Sequence, residues 1–219
     1  MTKQDRERLF GDPSLFGGWT EADVLTAMRR TFVSKGSKIT MILRPEFRRP
    51  KVMPALENRW AAGVWSFGYC FYVAEAAQLM FRSAFPGKEF RLKSFKSKKK
   101  VGGRLPPALK KHYTLFYDEL CFDPEVGSTV PQSEYAGGRG ERFRLPPSVN
   151  ALLLLAWIAE DSAKLKMAPG ISLARLQPAL REVAKGWTPG GPKARLKDEV
   201  RLLAGLPPRK HQVECQTKR

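Results

Sequence analysis

One segment limits the architecture more than any other: YCFYVAEAAQLMFRSA, residues 69–84. Cys70, Ala74, Ala77 and Phe81 recur at helical spacing on one stripe. Val73, Ala76 and Met80 fill the adjoining stripe. A wide apolar face rich in alanine predicts a buried helix lying close against a sheet. Pro86-Gly87 terminates it. Strand candidates follow at Glu89–Phe95, Lys111–Tyr117 and Glu119–Phe122. The second and third read as a tight hairpin or as consecutive edges of an antiparallel sheet. The expected class is therefore α+β.

The flanks complete this outline. Thr20 opens a capping pattern, and Val24, Leu25, Met28 and Phe32 predict an amphipathic helix over Glu21–Val33, ended by Gly36. Lys38–Leu43 fits a short strand, and Arg44–Pro54, with three prolines, an irregular connection. Pro124–Pro147 reads as a long surface loop. Helices are expected over Ser148–Lys166, over Ser172–Lys185 with Ser172 as N-cap, and over Pro192–Leu203. The organisation expected is an α+β core over 1–147, a basic helical subdomain over 148–206, and a disordered tail over 207–219.

The 219 residues, 42% hydrophobic, suffice for one ordinary core. The longest apolar run, Ala151–Ala159, has nine residues; a membrane span needs about 20, so no membrane partner is expected. The opening MTKQDRERLF has no apolar signal core. Three scattered cysteines without a CxxC support neither a disulfide framework nor a thiolate metal site. A cytoplasmic location is expected.

The net charge of +18 is concentrated. Lys88–Lys111 holds ten bases and one acid, Lys164–Arg219 thirteen bases and four acids, and the rest is neutral. Two basic segments on a neutral body suit a polyanion, DNA or RNA. Lys96, Lys98, Lys99, Lys100, Lys110 and Lys111 are the candidate phosphate contacts, with Arg195, Lys197 and Arg201 on the last helix.

The candidate chemistry rests on Cys70, His112 and Asp123. Cys70 begins the buried helix, where the dipole and free N–H groups favour thiolate. His112 begins a strand, and Asp123 ends the next one, in CFDPE. A cysteine nucleophile, a histidine base and a carboxylate that orients it form a nucleophilic set, and this order is that of a papain-like core. Taken singly, Cys70 reads also as a small buried hydrophobe, His112 as a strand-edge residue and Asp123 as an Asp-Pro turn.

The segment Trp65–Ala76, WSFGYCFYVAEA, running on to Gln78-Leu79-Met80, resembles a pattern of small phage and actinobacterial papain-like proteins. The later pieces match in order: His112-Tyr113-Thr114-Leu115, Phe122-Asp123-Pro124, Tyr135–Gly140, and Phe143-Arg144-Leu145 with Pro147-Ser148. The likeness spans about residues 65–151. It implies a Cys70 nucleophile, a His112 base and an Asp123 orienter in a hydrolase or acyl/group transferase with neither metal nor organic cofactor. A phage-encoded chain would work in the host cytoplasm. Tyr69 stands where the family has His, and Val64 where papain-type enzymes keep an oxyanion-hole glutamine. The Cys70 N–H, with Ser66 or Asn58, would take that role. The alternative reading is a nucleic-acid-binding or DNA-base-modifying protein on a repurposed core.

Overall fold

The computed structural model describes residues 3–12, 15–16, 18–43, 70–96, 111–124, 128–132, 139–141, 147–164, 172–186 and 194–207. The elements in chain order are α1 (Lys3–Gly11), α2 (Glu21–Leu43), α3 (Cys70–Ala84), β1 (Arg91–Lys96), β2 (Lys111–Tyr117), β3 (Leu120–Asp123), β4 (Ser128–Pro131), β5 (Arg139–Glu141), α4 (Val149–Lys164), α5 (Leu173–Lys185) and α6 (Ala194–Leu203). The architecture is α+β.

The five strands form one sheet in the order β4-β3-β2-β1-β5, with every neighbouring pair antiparallel. Tyr117 pairs with Leu120, so Asp118 and Glu119 make a two-residue turn. Asp118 takes φ 46° there, a left-handed conformation that Asp tolerates better than most residues. Lys88 Nζ bonds its carboxylate at 2.7 Å.

The expected buried helix is α3. Phe81 is its anchor: its ring meets those of Phe90, Tyr117 and Phe122 at 5.7, 5.4 and 6.1 Å between centroids. Gln78 Nε2 donates to the Phe90 carbonyl at 2.9 Å and fixes the exit toward β1. On the other side α3 packs on α2 and α4. Ala151–Ala159 of α4 are all buried. One hydrophobic cluster joins Phe10, α2, α3, the sheet and α4–α6 through Ala204.

Polar ties lock the helices at chosen points. Ser148 caps α4 through Ala151 N–H (3.2 Å), and the buried Glu75 of α3 accepts from its N–H (2.9 Å) and its Oγ (2.5 Å). Trp157 Nε1 donates to Glu199 of α6 at 2.7 Å, where Lys38 of α2 also pairs at 2.6 Å. Arg175 of α5 reaches Asp12 at 2.6 Å. Ser172 caps α5 as expected, accepting from Arg175 N–H at 3.3 Å.

Two expectations are corrected. Gly36 does not end α2, and Lys38–Leu43 is not a strand: the helix runs unbroken to Leu43. Phe32, Gly36, Ile39, Thr40 and Leu43 form one buried stripe. That packing outweighs the cost of about 1 kcal/mol for a mid-helix glycine. The stretch 124–147 is not all loop, because it contributes the edge strands β4 and β5. The connection 44–54 and the tail from 208 lie outside the described residues.

Candidate active site

Strand alternation decides which side chains meet. Phe122 pairs with Leu115, so Asp123 falls opposite Thr114. His112, two residues from Thr114, shares its face. His112 and Asp123 are therefore brought to one side of the β2–β3 hairpin by its register. Their contact is direct: His112 Nε2 lies 2.9 Å from Asp123 Oδ1, with side chains 16% and 3% exposed.

Cys70 reaches this pair from the first residue of α3. Its sulfur donates to the Lys111 carbonyl at 3.8 Å and is close enough to the His112 side chain to act on its charge. The neighbours Phe71 and Tyr113 hold helix and strand together edge-to-face, 4.9 Å between ring centroids. Cys70 is buried, with Sγ turned to the strand end. Its N–H is among the first-turn donors without an intrahelical acceptor.

The electrostatics follow from this geometry. Burial pulls the His112 pKa down, but the hydrogen bond to Asp123 and the nearby Cys70 sulfur, with their charges, outweigh it and push it up to about 10. His112 thus holds its proton at neutral pH. Asp123 fixes the ring by Nε2, which leaves Nδ1 as the nitrogen available for proton exchange with sulfur. A ring that carries this proton can give it to a leaving group, and the neutral ring that remains, still braced by the carboxylate, can take a proton back from water or a thiol. This arrangement suits nucleophilic attack on a carbonyl and protonation of a leaving group.

The other expected residues fare unevenly. Lys96 ends β1 and pairs in register with Lys111, next to the Phe95–His112 pair. Both ends of the basic connection are therefore anchored at the His112 end of the sheet. Lys98, Lys99, Lys100 and Lys110 lie outside the described residues, as do Asn58, Val64, Ser66 and Tyr69. Arg195, Lys197 and Arg201 lie on α6, which packs on α5 and α2. Arg195 is exposed and Lys197 half-buried. Arg201 Nη2 donates to the Pro207 carbonyl at 3.0 Å, an internal role.

Two residues near the site carry roles that spacing alone did not reveal. Glu75, one turn after Cys70, clamps α3 to the N-terminus of α4. Thr114 sits between His112 and Tyr117 on β2, fully buried on the His112 face. Its parity was readable from the strand, but its neighbour Asp123 emerges only from the hairpin register. Among the described residues no group of three or more His, Cys, Asp or Glu side chains is arranged to hold a metal ion.

No protein-family model, no curated protein and no solved structure matches this chain.

Proposed function

We propose that this chain is a cysteine-dependent hydrolase or acyl/group transferase built on a papain-like core. The observation that carries the reading is His112 held between the Asp123 carboxylate and the Cys70 sulfur. Cys70 attacks the substrate carbonyl, and the bond to the leaving group breaks as His112 protonates it. A thioester joins the acyl group to Cys70. Water or an amine then attacks the thioester and gives its proton to His112; the C–S bond breaks, which releases the acid or amide and leaves the Cys70 sulfur as thiolate beside the re-protonated His112. The Cys70 N–H, at the head of α3, is one donor to the oxyanion.

The substrate or its carrier is proposed to be polyanionic, DNA or RNA among the choices. The basic connection between Lys96 and Lys111 supports this, because both of its ends lie beside His112. Cations at that place would raise the local concentration of a polyanion near the nucleophile.

The test is acylation by p-nitrophenyl acetate, read by mass spectrometry. A single acetyl group should appear on Cys70, and both His112→Ala and Cys70→Ala should prevent it. Acetylation elsewhere, or undiminished acylation in the His112 variant, would overturn the mechanism.

A further inference from the structure

Helix α2 turns a second stripe away from the core. Thr26, Arg29, Arg30 and Val33 recur at i, i+3, i+4 and i+7, one continuous helix face. The last turn of α4 supplies Asp161 and Lys164 across from it. These side chains border a cleft of about 590 Å³, within the ~300–1,000 Å³ common for small-molecule sites. It shares no residue with the Cys70, His112 and Asp123 set.

The lining is chemically two-sided. Val33 is 64% exposed, while Val24, Met28, Phe32 and Ile39 of the same helix are buried. Arg29 and Arg30 are both exposed, and neither pairs with a carboxylate among the described residues. Asp161 does not compensate them. It accepts from Ser34 Oγ at 3.0 Å and is ion-paired with Lys35. Lys164 is held by Glu160 at 3.4 Å. Two adjacent guanidinium groups thus face the cleft with their charge unmatched, beside an apolar side chain in water. An anion would relieve their repulsion and gain forked hydrogen bonds. A bare anion would leave Val33 wet, and a bare apolar molecule would leave the charges unmatched.

We infer that this cleft binds an amphiphilic organic anion, its carboxylate or phosphate head on Arg29 and Arg30 and its apolar body along Val33. The assignment is independent of the cysteine chemistry and stands or falls without it.

The experiment is a titration of the ¹⁵N-labelled full chain with decanoate, decanol, inorganic phosphate and a short DNA duplex, followed by amide shifts. Decanoate should give saturable shifts confined to α2 around residues 26–34 and the end of α4. Decanol and phosphate should each bind at least about tenfold more weakly, since each retains only half of the recognition. Arg29→Ala with Arg30→Ala should weaken decanoate about tenfold or more, and so should Val33→Asp. Val33→Ile should bind as the wild type. All these side chains are exposed, so the variants should keep the parent melting temperature, which is measured alongside. Equal binding of phosphate would reduce the site to a surface ion contact. Equal binding of decanol would reduce it to a greasy patch. Displacement of decanoate by the duplex at lower concentration would reassign the face to a polyanion. Each of these results, or unchanged affinity in the variants, overturns the inference.

Discussion

Asp123 Oδ1 lies 2.9 Å from His112 Nε2 across a hairpin that closes in two residues. A short turn allows little slippage, so the register that pairs Phe122 with Leu115 also fixes the carboxylate on the imidazole. Replacing Asp123 by Asn keeps the shape and removes the charge. The His112 pKa should then fall well below 10, and acylation of Cys70 should slow by about a hundredfold or more. Titration of the ring by NMR checks the first half. An unchanged titration would mean that Asp123 does not govern the ring.

Stability should carry the same signature with a defined sign. His112 has its pKa raised from 6.5 to about 10 by folding. The protonated ring is therefore favoured in the native state. Its contribution is fully present below about pH 6.5 and is lost as pH rises through about 10. The melting temperature of the wild type should exceed that of His112→Gln by most near pH 6. The gap should narrow steadily toward pH 10.5. A gap independent of pH would contradict the assignment.

Cysteine labelling should be selective. Cys121 is fully buried, on β3 opposite Phe116, whereas Cys70 lies at the head of α3 beside the imidazolium. In a Cys215→Ser background, iodoacetamide at pH 6 should modify Cys70 about tenfold faster than Cys121, by peptide mass spectrometry. His112→Ala should erase the difference. Equal rates in the parent would argue for a structural thiol.

Glu75 offers a test of the scaffold. Its carboxylate accepts both the N–H and the hydroxyl of Ser148. Glu75→Gln keeps one acceptor oxygen and leaves one donor poorly matched, at a cost of about 1–3 kcal/mol. Urea unfolding should show a lower midpoint with an unchanged slope. No shift in the midpoint would show that the clamp contributes nothing.

Trp157 is the corresponding test on the far side. It is fully buried and donates to Glu199, which keeps Lys38 as a second partner. Trp157→Phe removes the donor and part of the volume, for about 1–3 kcal/mol. Thermal unfolding would register this as a lower midpoint. A neutral result would mean that Lys38 alone satisfies the carboxylate.

The sequence carried the parts of this fold that local periodicity controls. The alanine-rich stripe of α3, the alternation of β2 and the Ser172 cap were all readable. So was the order of cysteine, histidine and aspartate, because a helix start and two strand ends constrain few positions. The failures share a cause. Gly36 looked like a terminator because its cost is local, while the packing that overrides it is not. STVP and RGE are too short and too polar to alternate, so β4 and β5 owe their strand state to the neighbours they pair with. Arg29, Arg30 and Val33 fell within the expected amphipathic helix without marking a site. Only the end of α4, more than 120 residues on, makes a cleft of them.

The burial of α4 bears on how the molecule is made. Its nine apolar residues are covered by α2 and α3, which emerge before it, and by α5, which emerges after it. During synthesis there is an interval in which one flank of the greasiest helix has no cover. A nascent chain halted just after Lys164 would present that flank to other chains and to chaperones. The described residues that follow Lys164, 172–186 and 194–207, are thus the closing wall of a body already laid down.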